Sequence, residues 1–186
     1  MQKNNVEYKR FIWDLSNVIA GNEMNKKIIF LCIGTNRIVG DSFGPIVGTK
    51  LKKKIGNQQN ISIIGDIDNA LTYNRLEENF KYINKECRNS LIIALDSALS
   101  NADDIGKIFI QNRGLSYGES LKKNNSKIGN ISIKAVVGED TKNSIENFKI
   151  LNNVSADKVQ KMCNIVSNGI IEVVNKKVNI GKNIYN

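Results

Sequence analysis

No histidine occurs among the 186 residues of this chain. Ser-His-Asp and Cys-His catalysis, imidazole-built zinc sites and histidine proton shuttles are therefore excluded. Any chemistry falls to carboxylates, hydroxyls, lysines or thiols. Cysteine is scarce: Cys32, Cys87 and Cys163 form no metal-type pair spacing. An odd number suits reduced thiols better than a disulfide framework, so a cytoplasmic protein is expected. Long apolar runs are missing too. The stretches 28–33 and 91–95 are too short to cross a bilayer, and residues 1–5 are polar rather than a basic segment before an apolar core. No export signal and no membrane partner are expected. Acidic residues are outnumbered, 18 Asp and Glu against 27 Lys and Arg, for a net charge of +9. The excess is scattered lysine in an Asn-rich background, without a basic run or interleaved aromatics. Such a surface attracts acidic partners, and direct nucleic-acid binding is not expected.

What remains is ordinary for a folded protein: 41% hydrophobic and 24% charged residues. The length suits one α/β domain over 1–186, with an N-terminal helix and a C-terminal tail that frays beyond Asn175. Tyr8, Phe11, Ile12, Leu15, Val18 and Ile19 recur at helical spacing, predicting a helix over 6–19. Residues 28–34 are a continuous apolar, β-branched run, the pattern of a strand buried on both faces. Ile46, Val47, Leu51 and Ile55 give a helix closing at Gly56, and 61–64 a second strand. A helix over 71–83, strands at 91–95, 107–111 and 131–137, and a last helix carrying Val159, Met162, Cys163, Val166, Ile170 and Val173 complete the alternation. A polar loop over 112–130 is long enough to be functional or mobile. The pattern predicts a three-layer α/β/α sandwich with a parallel sheet, whose ligands sit beyond the carboxyl ends of the strands.

Two aspartates fall at that rim. Asp41 lies in the loop Gly34-Thr35-Asn36-Arg37-Ile38-Val39-Gly40-Asp41-Ser42-Phe43-Gly44-Pro45, whose lone proline suits the first turn of the next helix, where no amide donor is needed. Asp41 or Ser42 could simply cap that helix, and the loop alone does not decide between cap and catalyst. Asp96 directly follows the run 91–95. Beside an apolar strand its proton affinity should rise, although a loop aspartate bonded to its own turn is the commoner case. Were the first and third strands neighbours, the two carboxylates would share a crevice, one able to stay protonated while the other acts on a water. They could also hold a divalent cation, weakly, since two carboxylates make a poor site. Asp66 and Asp68 could extend the acidic rim, but a solvated turn is the better reading. In the long loop, Gly114, Gly118, Lys122 and Lys123 could offer donors or charge to a bound carbonyl, against a default of surface lysines. Gly34 to Ser42 fails as a phosphate loop, because Gly40-Asp41-Ser42 puts an aspartate where a lysine is required.

At these residues the chain resembles the YyaC-like sporulation proteins, kin to the germination protease of bacterial spores and, more remotely, to the hydrogenase maturation proteases. The resemblance is carried by Cys32-Ile33-Gly34-Thr35 through Gly40-Asp41-Ser42-Phe43-Gly44-Pro45-Ile46-Val47-Gly48-Thr49-Lys50, and by Ile92-Ile93-Ala94-Leu95-Asp96-Ser97-Ala98-Leu99. It implies a phosphorylase/hydrolase-like fold and kinship to peptidases. In the germination protease the two essential aspartates occupy motifs similar to those around Asp41 and Asp96. Thr72 stands where the family usually has a histidine, which speaks against nickel recognition. The expectation is a peptidase acting on a protein or peptide substrate, a spore protein among the candidates, in the forespore or spore core. Asp41 is the expected base and Asp96 the expected acid, with the reverse open. Thr35, Asn36, Ser42, Ser97, Gly114, Gly118 and Lys123 are expected to contact substrate. No cofactor or resident metal is called for, although a metal-dependent hydrolase stays open, as does a homo-oligomer. The alternative is a catalytically silent scaffold that keeps the fold and holds a spore partner.

Overall fold

A computed structural model describes residues 6–22, 27–76, 78, 89–116 and 127–184, with side chains through Lys176. The run beginning at 28 becomes β1 (Lys27–Cys32), buried at every position after Lys27. It lies at the interior of the sheet, hydrogen-bonded in parallel to β2 (Ile61–Ile64) on one side and to β3 (Ser90–Ser100) on the other. β7 (Ile131–Glu139) pairs parallel to β3, and β4 (Ile108–Gln111) closes the far edge antiparallel to β7. The order is β2-β1-β3-β7-β4. A separate small ribbon joins β5 (Leu115–Ser116) to β6 (Lys127–Ile128).

One face of the sheet is covered by helices. α1 (Val6–Ala20) and α2 (Phe43–Ile55) pack with α4 (Ala156–Ile184) over Phe30, Leu95 and Ile133. The expected helical stripes form this core: Phe11, Leu15, Val47, Leu51, Cys163 and Val166 are all buried. The opposite face carries Ile29, Leu31, Ile33, Ile92 and Ala94, packed against Leu71, Leu76, Leu115 and Ile128. Residues 73–76 are helical, as expected from the 71–83 pattern, and 79–83 lie outside the described residues.

The antiparallel β4 departs from the expected parallel sheet and the β5–β6 ribbon lies inside the expected 112–130 loop, and three further elements differ from the sequence reading. The strand over 91–95 continues to Ser100 because β7 pairs with it that far, from Ile93↔Ile131 to Ser100↔Glu139. A helix not anticipated, α3 (Ser144–Asn153), follows β7, its first amides held by the Asn143 side chain at 3.0 Å from Ile145 N and 3.2 Å from Glu146 N. The last helix continues past Asn175, the point from which a frayed tail was expected. It runs to Ile184, with no proline or glycine between Asn175 and Gly181 and a Lys176–Glu172 pair at 2.8 Å along its side.

The connections create the crevice. The chain leaves β1 through α2 on the helix-covered face and leaves β2 through 71–76 on the other, so the two crossovers diverge between the carboxyl ends of β1 and β3. Open α/β sheets bind ligands at such a switch point. β1 stops at Cys32, opposite Leu95, while β3 runs on. The edge of β3 beyond Leu95 therefore faces the loop that follows β1.

Candidate functional site

That loop is drawn tight by two glycines. Gly34 has φ +134°, and a Cβ there would stand 2.1 Å from the Asp41 carbonyl oxygen. A Cβ on Gly44 would stand 2.0 Å from the Ile33 carbonyl oxygen, so only glycine lets the start of α2 rest on the end of β1. Pro45 occupies the first turn of α2, as its missing amide requires. Asp41 ends a short 3₁₀ turn, Val39–Asp41, that runs straight into the helix.

The capping alternative fails in this geometry. Neither Asp41 nor Ser42 caps α2: the Ser42 hydroxyl donates to Val39 O at 2.6 Å, and no side-chain cap bond is made. The Asp41 carboxylate turns the other way. Its Oδ2 accepts from the Thr35 amide at 2.9 Å, and its Oδ1 from the Ser97 hydroxyl at 3.5 Å. Ser97 is the residue after Asp96, so the link reaches from the β1 loop to the open edge of β3.

Asp96 is not a loop residue. It lies within β3, 5% exposed, on the face of Ile92 and Ala94, and the phenolic hydroxyl of Tyr73 donates to its Oδ2. Tyr73 is 38% exposed overall. Its ring is at the mouth of the crevice while its hydroxyl is turned inward onto the carboxylate. On β7 the residue in register with Asp96 is Lys134.

The two carboxyl groups hold protons unequally. Burial pushes Asp41 up to about 6, opposed by the hydrogen bonds from the Thr35 amide and Ser97. Burial pushes Asp96 further, to about 7. The Tyr73 hydrogen bond opposes that rise, the negative charge of Asp41 adds to it, and the Ser97 amide and the charge of Lys134 oppose it. The Tyr73 hydroxyl is raised strongly, first by burial and then by Asp96 and Asp41, so it remains a donor. Near neutral pH the crevice thus favours an ionised Asp41 beside a protonated Asp96. Because the two charges interact, the observable titrations belong to the pair.

The other expected site residues divide. Thr35 is at the crevice through its amide, and its hydroxyl accepts from Arg37 N at 3.3 Å. Asn36 is exposed at the rim, donating to Ile67 O at 3.0 Å. The Ser42 hydroxyl is turned into its own loop. Gly114 is not brought here. It packs against Ile128 and Gly129, whose neighbour Asn130 bonds Ile92, four residues or about 13 Å before Asp96 along β3. Its distance follows from β4 running antiparallel, which carries the chain back to the amino ends of the strands. Gly118, Lys122 and Lys123 lie outside the described residues, as does Cys87.

Asp66 does not extend the acidic site, nor is it solvated. It is 6% exposed, paired with Lys52 and accepting from Asn69 N at 2.6 Å, and the Lys52 ammonium holds it below the usual carboxylate range. Asp68 is exposed. Cys32 and Cys163 are buried thiols with raised proton affinity, Cys163 up to about 12, so neither is a nucleophile. Among the described residues no cluster of three or more metal-ligating side chains occurs, and no helix is long and apolar enough to cross a membrane.

Sequence reasoning missed Tyr73 and Lys134. Tyr73 follows Thr72, whose hydroxyl accepts from Arg75 N at 3.5 Å and opens the helical turn 73–76. A tyrosine opening a helix at the strand-end rim is a signal that could have found it. Lys134 depends on the β3–β7 register, which no local pattern encodes.

A switch-point crevice in a mixed sheet flanked by helices defines an α/β protein with the fold of a maturation protease. The crystal structure of a [NiFe] hydrogenase maturation protease HycI from Thermococcus kodakarensis KOD1 is similar with a TM-score of 0.59 and 16% identity, covering 87% of this chain and 98% of that one. The chain belongs to the family described as "Protein of unknown function (DUF1256)", a match that spans residues 1–169. It is 28% identical over 145 residues, 78% of its own length and 68% of the relative's, to "Uncharacterized protein YyaC" of Bacillus subtilis (strain 168).

Proposed function

We propose that the protein is an aspartate-dependent peptidase whose substrate is a protein of the spore. The supporting observation is the pair of carboxyl groups at the β1–β3 crevice, linked through Ser97 and holding protons unequally. Ionised Asp41 takes a proton from a water, whose oxygen attacks the peptide carbonyl carbon. Asp96 gives its proton to the carbonyl oxygen, forming a gem-diol. Asp41 then delivers its proton to the leaving nitrogen as the C–N bond breaks, and Asp96 regains a proton from a diol hydroxyl. The products are an amine and a carboxylic acid, and both aspartates return to their starting states. Tyr73, donating to Asp96 Oδ2, leaves the other oxygen to carry the proton.

The test is incubation of the purified chain with protein extracted from bacterial spores, with new termini read by mass spectrometry. Cleavage is expected, fastest between about pH 6 and pH 7 where Asp41 is ionised and Asp96 protonated. Asp41→Asn and Asp96→Asn should each lower it by about 100-fold or more with circular dichroism unchanged. A chelator should not reduce it. An unmodified protein that cleaves nothing between pH 5 and 8 defeats the proposal and favours a scaffold. Full cleavage by both variants defeats the mechanism.

A further inference from the structure

β3 is paired along both edges only part of the way. On the β7 side its ladder continues to Ser100↔Glu139. On the β1 side it stops at Cys32↔Leu95, with one last bond from the Ile33 amide to Leu95 O at 2.8 Å. The amide two residues on, which would carry the ladder further, belongs to Thr35. It is turned away, donating to Asp41 O at 3.1 Å and to Asp41 Oδ2 at 2.9 Å.

Main-chain groups of a strand point alternately to its two neighbours. Ile92 O and Ser100 O accept from Asn130 N and Asp140 N on the β7 side, both at 2.8 Å, while Leu95 O accepts from the β1 side. Ser97 and Leu99 therefore turn their main-chain groups to the β1 side, where that strand has ended. The Ser97 amide is engaged by the Asp96 carboxylate. Among the described residues no hydrogen bond reaches the Ser97 carbonyl or the Leu99 amide and carbonyl. Both residues are half-buried. A carbonyl, an amide and a second carbonyl at strand spacing are matched as a set by another extended main chain. The edge also begins at the reacting groups, because Ser97 follows Asp96 and its hydroxyl reaches Asp41 at 3.5 Å.

We infer that a polypeptide binds here as an added β-strand, pairing main chain to main chain with residues 97–99 of β3 and running past both carboxyl groups. The inference rests on reading the crevice as a peptide site and names how that site grips a chain. The bound segment is extended, since a helix keeps its amides for itself and must unwind before it can pair. Affinity at the pairing residues comes from the backbone rather than from their side chains.

The test separates binding from turnover. A random heptapeptide display library is selected on full-length protein carrying Asp41→Asn, and each position of a selected peptide is then N-methylated in turn. Only alternate residues of an added strand bond to the edge. Binding should fall about tenfold at alternate positions and change by no more than about twofold at those between. Hydrogen exchange locates the contact: with peptide at ten times its Kd, the Leu99 amide should slow about tenfold. Leu99→Pro removes that donor without touching the β7 ladder and should weaken binding, whereas Leu99→Ala keeps the donor and should not. Should Leu99→Pro fail to fold, the methylation scan and the exchange data decide. A scan without alternation, protection at Ile61–Ile64 on the outer edge of β2 instead, or a library that yields no binder overturns the inference. So does a Leu99 amide protected without peptide and more strongly at higher protein concentration, which would place a second copy on the edge. If cleavage of spore protein persists in any of these cases, hydrolysis stands without strand addition. If alternation and Leu99 protection are found while nothing is cleaved, strand addition stands and the hydrolytic reading fails.

Discussion

Tyr73 is the residue on which the proton affinity of Asp96 turns most directly. Burial favours the neutral acid, and the phenolic hydrogen bond pulls back toward the carboxylate, so the balance falls near neutrality rather than well above it. Replacing Tyr73 by Phe keeps the ring at the mouth and removes only the donor. Asp96 should then titrate above about 7, because its ionised form has lost a partner while its burial is unchanged. Carboxyl-carbon NMR titration of the Tyr73→Phe protein should show the Asp96 midpoint rising by one unit or so, since a hydrogen bond to a charged group contributes about 1.5–3 kcal/mol. An unmoved midpoint would mean that water takes over the hydroxyl's place. Ser97 is a weaker lever: at 3.5 Å its hydroxyl is a long contact to Asp41.

At the scale of elements, the site depends on α2 resting on the end of β1. Gly44→Ala would set a methyl 2.0 Å from the Ile33 carbonyl, a backbone atom inside the sheet that cannot step aside. Chemical denaturation should show a loss of about 3 kcal/mol or more, at or beyond the upper end for overpacked cores because the clash is with backbone. Gly106→Ala is the control. Its φ of +89° makes it strained, but nothing lies within 4 Å of the added methyl, so about 1–2 kcal/mol is expected. Gly44 has no positive φ, so a loss no larger than at Gly106 would show that the contact with Ile33 relaxes. The same elements explain what the sequence discloses. β1 and α2 are legible because apolar runs and helical stripes are local, and Pro45 marks the join. Asp41 is legible because it stands in the glycine- and proline-marked loop after β1, and Asp96 because it directly follows the apolar run 91–95. The continuation of β3 through Asp96 and Ser97 is not, because polar residues stay in a strand only where a partner supplies the ladder. α3 buries no residue fully, so it lacks a strong stripe, and its one local signal was the capping Asn143. Tyr73 and Lys134 enter the site through a crossover and a strand register, both products of the assembled sheet.

Over the whole molecule, carboxylates pull stability in opposite directions as pH changes. Asp66 and Asp140 have lowered proton affinities, Asp140 to about 2, each held down first by a hydrogen bond from lysine. Their contribution is present above the unfolded value near 4 and disappears as pH falls through their folded values. Acid also strips negative charge from a chain already at +9, adding self-repulsion. Asp41 and Asp96 act the other way. Their folded values, about 6 and about 7, exceed the unfolded one, so the native state binds more protons between about pH 4 and pH 7 and loses stability as pH rises through that window. Asp96, raised to about 7 by burial, contributes the larger part of this loss at pH 8, moderated where the site relaxes or admits water. Thermal stability should therefore peak near pH 4–5. Asp96→Asn should match the parent there and exceed it at pH 8, because the amide never has to ionise and still accepts from Tyr73. At about 2–4 °C per kcal/mol for a chain of this size, melting at pH 8 should rise by roughly 4 °C or more, while cleavage is lost. A variant no more stable than the parent at pH 8 would show that Asp96 ionises in the folded protein without penalty, and the proton division in the crevice would lose its physical basis.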